Sequence, residues 1–447
     1  MMNFRSFMQI TLLAVPFLMS CGNADDEVII ESPEKVDTIV GNQANNVVIY
    51  QVNPKLYTKG TTFETVKNRL PQIAQLGVNV LYLMPIYPEG EINSVGSPYC
   101  ISNYQAVNEN YGTEAQLKQL IDDAHNKGMR VIFDWVGNHT SWDNNWLSSH
   151  PEWYTHDAIG NIIAPAGTGW NDVADLNYDN AEMCSAMTSA MLFWINNYDI
   201  DGYRCDYADG IPTTFWANAI TQLRQAHGTN VLMLAESSDK AMYDAGFDML
   251  YSWKSTAKLQ ELYAGKCSLT DFYEASSAEL AEGGHVRFIT NHDQASEKSP
   301  LSYYGGKDGA LSAFVLSTML GGAPFIYGSQ EVGYASALSF FNQWAFDWNA
   351  DADYTNAYQS YMKAYEATET LRGGKFETYQ TQSVASFYFD SGENGLLVLV
   401  NPTNEAITFK TPIAHAGTQF VNAQTGEALT LSSATTLGAY QFLILKK

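Results

Sequence analysis

Five charged residues stand where apolar runs end. Asp134 lies near the end of "MRVIFDWV", Arg204 and Asp206 close "IDGYRCD", Glu236 falls near the end of "VLMLAES", and Asp293 closes "VRFITNHD". Only 16% of the chain is charged, and carboxylates are costly to bury unless something nearby compensates them. Carboxyl groups gathered around one cavity suit the cleavage of a glycosidic acetal. One attacks or stabilises an oxocarbenium-like carbon, and another protonates the leaving oxygen. Negative neighbours keep that acid protonated near neutral pH. Arg204 is two residues before Asp206, which on a strand puts both on one face. Its guanidinium orients Asp206 and keeps it ionised, as a nucleophile requires. No cation flanks Glu236 in "LAESSD", so Glu236 is the better acid.

These side chains need a scaffold that brings distant segments to one rim. Eight short β-rich runs recur, at 46–52, 78–85, 129–136, 200–206, 231–237, 247–251, 286–293 and 323–328. Helical patterns separate them. Val66, Leu70, Ile73 and Leu76 share one stripe, and Thr113 caps "EAQLKQLIDDAHNKG" with Gln116 at the capping-box position. Eight such units predict an α/β fold, a (β/α)8 TIM barrel over 46–371 with its chemistry at the C-terminal strand ends. An open doubly wound sheet would need an early glycine-rich phosphate loop, which is absent from the sequence. Residues 137–180 are rich in Trp, Asn, His and Gly and too long for a routine loop, which predicts a small inserted domain after the third strand. From 372 the texture turns to hairpins such as "VASFYFDSGENGLLVLVNP", so residues 372–447 are expected to form a C-terminal antiparallel β-sandwich.

The formal charge of −24 argues against a nucleic-acid partner. Arg5 precedes the apolar run "FMQITLLAVPFLMS", too short to span a bilayer, which reads as a signal peptide over 1–20. It ends in "LMSC", similar to a bacterial lipobox, so Cys21 is expected to carry a lipid. Residues 21–45 then form an acidic tether. An acidic stretch after such a cysteine resembles a surface-export signal, implying a chain on the outer membrane facing outwards. Cys100, Cys184, Cys205 and Cys267 lack CxxC spacing and are expected to be mostly buried free thiols.

With these motifs in order, the chain resembles the α-amylase family of retaining glycoside hydrolases over about residues 46 to 372. "DWVGNH", "GYRCD", "LAES" and "FITNHD" are similar to the family's third-, fourth-, fifth- and seventh-strand motifs. "VADLN" (173–177) and "SPYCISNYQAVNENYGT" resemble two of its loop motifs. The resemblance implies Asp206 as nucleophile, Glu236 as acid/base and Asp293 as transition-state stabiliser. It also implies Arg204 binding the nucleophile, His139 and His292 hydrogen-bonding the sugar, and Tyr99 stacking beneath it. Asp134 supports the site. A structural calcium ion would be held by Asn138, Asp175 and the Gly210 carbonyl. Three features depart from the family. Asp209 and Gly210 replace a frequent Lys-His pair, Asn103 replaces a frequent Asp, and the inserted domain is short. The implied activity is retaining hydrolysis of α-1,4 links in starch-like glucans. Transglycosylation, cleavage of α-1,6 links or cyclodextrins, and glycan capture without turnover are the alternatives. The expected partners are an α-glucan, the membrane through Cys21 and a glycan-uptake complex, with the chain itself a monomer.

Overall fold

The computed structural model describes residues 46–228, 231–343, 346–379 and 383–447. The signal-peptide and tether readings fall outside these residues. Eight parallel strands close into a barrel: β1 (Ile49–Val52), β2 (Val80–Leu83), β3 (Arg130–Trp135), β4 (Gly202–Cys205), β5 (Leu232–Ala235), β6 (Met249–Tyr251), β7 (His285–Arg287) and β8 (Ala323–Tyr327). Every strand neighbours the next, and β8 pairs back onto β1. Each is buried on both faces, with Arg130 the only partly exposed position, because side chains fill the barrel inside and helices cover it outside.

The helices form for the reasons read in the sequence. Val66, Leu70, Ile73 and Leu76 are all buried, and the Thr113–Gln116 capping box is made in both directions. The helix Lys307–Met319 differs, being buried all the way round from Gly309 onwards. It lies between the barrel and the C-terminal module, where Ser312 Oγ meets the Asn401 carbonyl.

That module has a six-stranded antiparallel sheet and a two-stranded one, Ile407–Lys410 with Ala434–Leu437. Leu397, Leu399 and Leu445 of the first share a core with Leu437 of the second, which makes a sandwich. Among the described residues no helix is long and apolar enough to cross a membrane.

One expectation needs correction. The seventh strand pairs only over His285–Arg287, and the chain then turns into a short helix, His292–Glu297. Asp293 therefore sits in the first turn of a helix capped by Asn291, not at a strand end. A cap-forming Asn before an acidic first turn competes with strand continuation.

Register at the start of β4 depends on Gly202, at φ +148° and paired with Leu232. A Cβ there would overlap the Leu232 carbonyl oxygen. Gly202→Ala is expected to cost about 3 kcal/mol or more, since both backbone conformation and strand spacing are violated. Urea unfolding monitored by tryptophan fluorescence would measure it.

Candidate active site

The ladder itself sets up the charged centre. Asp134 of β3 and Arg204 of β4 are register partners, so their side chains point together into the barrel mouth. Asp206 and Glu236 lie one residue past the ladders, yet their amides still bond back to the Trp135 and Cys205 carbonyls at 2.9 Å each. Two carboxylates thus project from neighbouring strand ends on rigid backbone.

Arg204 is fully buried and serves three acids at once. Nη1 donates to Asp134 Oδ1 at 2.8 Å and to Asp206 Oδ1 at 2.7 Å, and Nη2 lies 3.0 Å from Glu236 Oε2. Its guanidinium also lies within 6 Å of the Tyr99 and Tyr251 ring centres. Here the structure corrects the sequence reading. Glu236 does have a cation beside it, because the barrel brings Arg204 from the neighbouring strand. The shared guanidinium does not hold Asp206 at an ordinary acidity. Burial pushes its carboxyl well above the usual range, Arg204 opposes this, and Glu236 and Asp134 add to the rise. Asp134 is likewise raised by burial, against the pull of Arg204. The cluster therefore holds a proton more tightly than separate carboxylates would.

Asp134 lies beneath the others with no exposure, accepting from Tyr82 Oη at 2.5 Å and Tyr99 Oη at 3.0 Å. Tyr99 Oη also meets His292 Nε2 at 2.8 Å, and Gln51 Nε2 meets His292 Nδ1 at 2.9 Å. Burial and then Arg204 pull His292 down to about 4, so the ring is neutral at pH 7. Gln51 and Tyr99 thus hold the ring at both nitrogens. Gln51 was not singled out from the sequence, though a glutamine inside the apolar run "NVVIYQV" was a signal. The Tyr99 ring stacks on His292 at 5.4 Å and 19°, so one face is already used.

Asp293 is half-exposed at the mouth, held by Asn291 Nδ2 at 2.9 Å, and the cleft walls raise its carboxyl by desolvation. Glu236 Oε2 accepts from the Tyr207 amide at 2.9 Å. Tyr207 is in the left-handed region (φ 41°, ψ 51°), uncommon for a bulky residue, and that turn directs the amide at Glu236.

Asp206, Glu236, Asp293, Tyr99 and His292 line one cleft of about 540 Å³, together with His139, Trp170, Tyr207, Asp209, Ser237, Trp253, Phe340 and Phe341. His139, buried and pulled down to about 4 by desolvation, packs edge-on to Trp170, and Trp170 packs edge-on to Tyr207. Of the four tryptophans in the inserted segment, Trp170 alone lines the cleft. Trp146 and Trp153 pack on each other, and Trp142 Nε1 bonds the Asn171 carbonyl.

The motifs, the barrel and this constellation agree with an independent match. A family model described as "Alpha amylase, catalytic domain" covers residues 42–158 and 168–372. The chain belongs to the alpha-amylase family. As a member it is a glycoside hydrolase of the α-amylase type. It is 23% identical over 449 residues to "Alpha-amylase 3" of Dictyoglomus thermophilum, spanning 85% of this chain and 88% of that protein. An alpha-1,4-glucan:maltose-1-phosphate maltosyltransferase of Cereibacter sphaeroides is 25% identical over 329 residues, 64% of this chain and 53% of that protein. The crystal structure of an alpha-amylase from Lactobacillus plantarum superposes with a TM-score of 0.82 at 28% identity, covering 91% of this chain and 99% of that one.

In this family member Asn138, Asp175 and Gly210 lie together at the root of the inserted segment. A Cβ on Gly210 would run into Asn138 Oδ1, and the Leu176 amide donates to the Asn138 carbonyl at 3.2 Å, bringing Asp175 alongside. Burial raises the Asp175 carboxyl, and a hydrogen bond with Thr155 opposes the rise. A carboxylate, an amide oxygen and a carbonyl form the all-oxygen donor set that suits calcium, so these residues fit such an ion. Among the described residues no three His, Cys, Asp or Glu side chains converge on a metal site. Cys100, Cys184, Cys205 and Cys267 are free thiols, two of them buried and two half-buried.

Proposed function

We propose that this enzyme hydrolyses α-1,4-glucosidic bonds in starch-like glucans or maltooligosaccharides with retention, through a covalent glycosyl-enzyme. One observation carries the reading: Asp206 and Glu236, from adjacent strand ends, sit on neighbouring nitrogens of one guanidinium. That sharing keeps the carboxyl groups close, in keeping with the separation of about 5–5.5 Å used by retaining rather than inverting enzymes.

In the first step an Asp206 oxygen bonds to the anomeric carbon, the bond to the leaving sugar breaks, and the Glu236 proton passes to the leaving oxygen. In the second, water attacks that carbon, returns a proton to Glu236 and frees Asp206. Asp293, at the mouth, opposes the positive charge that develops on the ring. Arg204 orients Asp206, while Tyr207 fixes the Glu236 oxygen that is not the proton donor. Calcium, held by Asn138, Asp175 and the Gly210 carbonyl, would tie the inserted segment to the β4 end. It would stabilise the cleft wall without entering the chemistry.

A sugar hydroxyl in place of water would give transglycosylation. Asp209, which accepts from Ser237 Oγ and shares the cleft with Glu236, offers such a hydroxyl an acceptor. The proposal extends to an exported chain anchored by a lipid on Cys21, supported by the apolar run and acidic stretch around that cysteine.

Glu236→Gln keeps the Tyr207 contact and removes the donated proton. Reducing-sugar release from amylose is expected to fall by at least about 10³-fold. Undiminished release would exclude Glu236 as the acid. Products of the unmodified enzyme on amylose, pullulan and cyclodextrin, resolved over time, separate hydrolysis from transfer and fix the linkage.

A further inference from the structure

Half of the eight exposed large hydrophobic residues in the described chain line the active-site cleft: Val95, Trp170, Tyr207 and Phe341. Trp170 and Tyr207 stand on the Glu236 side, since the Tyr207 amide holds that carboxylate. Val95 (59% exposed) and Phe341 (37% exposed) come from two loops with no strand or helix to shape them. What joins those loops is a buried lysine. Lys55 follows β1 in a short turn, and its Nζ donates to Glu89 Oε2 at 2.8 Å, the Gly96 carbonyl at 2.6 Å and the Phe341 carbonyl at 3.3 Å.

All three ammonium hydrogens are thereby used, one on each loop carbonyl and one on a carboxylate. Glu89 is fixed in turn by Tyr111 Oη at 2.8 Å. The loops touch so closely that a Cβ on Gly96, itself at φ +78°, would stand 2.8 Å from the Phe341 carbonyl oxygen. The wall reaches the reacting centre through rings. Phe341 stacks on Phe340 at 4.5 Å, and Phe340 packs edge-on to His292 at 5.2 Å and Tyr99 at 6.0 Å.

We propose that Lys55 is a positioning residue that clamps the 89–97 and 338–343 loops into an apolar wall, against which the non-reducing, donor-side rings of a glucan chain lie. The inference rests on the glucan-cleaving reading above. The acid must face the leaving oxygen, which gives the Tyr207 and Trp170 side to the leaving sugar and the Phe340–Phe341 side to the retained one. Sugar rings present apolar C–H faces, and a strip of Val95, Phe341 and Phe340 offers them a surface without donors. The clamp was not legible in the chain, because Lys55, the Glu89–Gly96 segment and Phe341 come from three stretches far apart in it.

The test uses 4-nitrophenyl α-glycosides of two to five glucose units, with cleavage at every bond resolved by chromatography and kcat/KM taken for 4-nitrophenol release alone. This series keeps the leaving group constant and adds rings only on the donor side. In the unmodified enzyme kcat/KM rises with chain length. In Val95→Ser, Phe341→Ser and Lys55→Met the ratio of kcat/KM for five units to that for two is expected to fall about tenfold, through KM, the scale of one apolar side chain lost from a binding surface. Gly96→Ala moves the ratio in the same direction. A merely structural Lys55 would lower both substrates together along with Tm, and a preserved ratio would overturn the inference. Val95 and Phe341 are exposed, so their variants decide the question even if Lys55→Met does not fold. Failure of the unmodified enzyme to cleave any of the series would instead overturn the glucan reading.

Discussion

Asp206→Asn is expected to lower kcat on amylose by about 10⁴-fold or more while raising the melting temperature at pH 8. The loss follows because an amide cannot form the glycosyl-enzyme, and Asp134, the nearest other carboxylate on Arg204, lies fully buried below the cleft. The gain follows from electrostatics. Burial, Glu236 and Asp134 together hold the folded-state pKa of Asp206 well above the ordinary carboxylate value despite Arg204. A carboxyl raised by folding binds its proton more tightly in the native state. Native stability is therefore lost as pH rises from the ordinary carboxylate range through the raised value. Asparagine keeps an oxygen for Arg204 Nη1 and carries no charge to desolvate. The difference in Tm between variant and parent should thus vanish near pH 4 and grow towards pH 8. Calorimetry across that range measures it. A variant less stable than the parent at pH 8 would mean that the 2.7 Å contact with Arg204 outweighs burial. The raised pKa also displaces the acidic limb of the activity profile upward, since the proposed mechanism needs Asp206 ionised.

The barrel was legible because its signals are local. Eight apolar runs, separated by stripes such as Val66–Leu70–Ile73 and a capping box at Thr113, can each be read within a dozen residues. The acids were legible for a related reason: a carboxylate ending an apolar run is conspicuous. What could not be read was the partner set. Arg204 looked dedicated to Asp206 because the two are close in sequence, whereas the β4–β5 ladder also delivers Glu236 to its other nitrogen. Tyr99 was expected beneath the sugar, and in the fold its ring is also committed to His292 and its hydroxyl to Asp134. Gln51 and Lys55 escaped notice because their work is done on residues from the far ends of the chain. The Tyr207 turn was hidden for another reason, since nothing in "DYADG" announces a left-handed tyrosine.

Arg204→Met should be the most damaging single change in the barrel, and its damage should depend on pH. Methionine fills the stem but leaves Asp134, Asp206 and Glu236 with no cation in contact. Removing one side of a buried ion pair costs about 3–5 kcal/mol, and here one side serves three acids. Arg204 is the main influence lowering the Asp206 carboxyl against burial, so its loss raises that group further. The same sign applies as before: stability lost above the raised value is regained as pH falls and the acids protonate. Urea unfolding should show a large deficit at pH 8 that shrinks towards pH 5, whereas activity should stay lost at both, because a protonated Asp206 cannot attack. Lysine offers no remedy of equal quality, since one ammonium cannot present the planar pair of nitrogens that meets Asp206 and Glu236 together. The decisive comparison is the double variant. If crowding of unpaired carboxylates is the cause, adding Asp206→Asn to Arg204→Met should restore part of the lost stability at pH 8 and none of the activity. If the arginine acts mainly by filling space between Tyr99 and Tyr251, the second substitution should restore nothing, and the deficit should be the same at every pH.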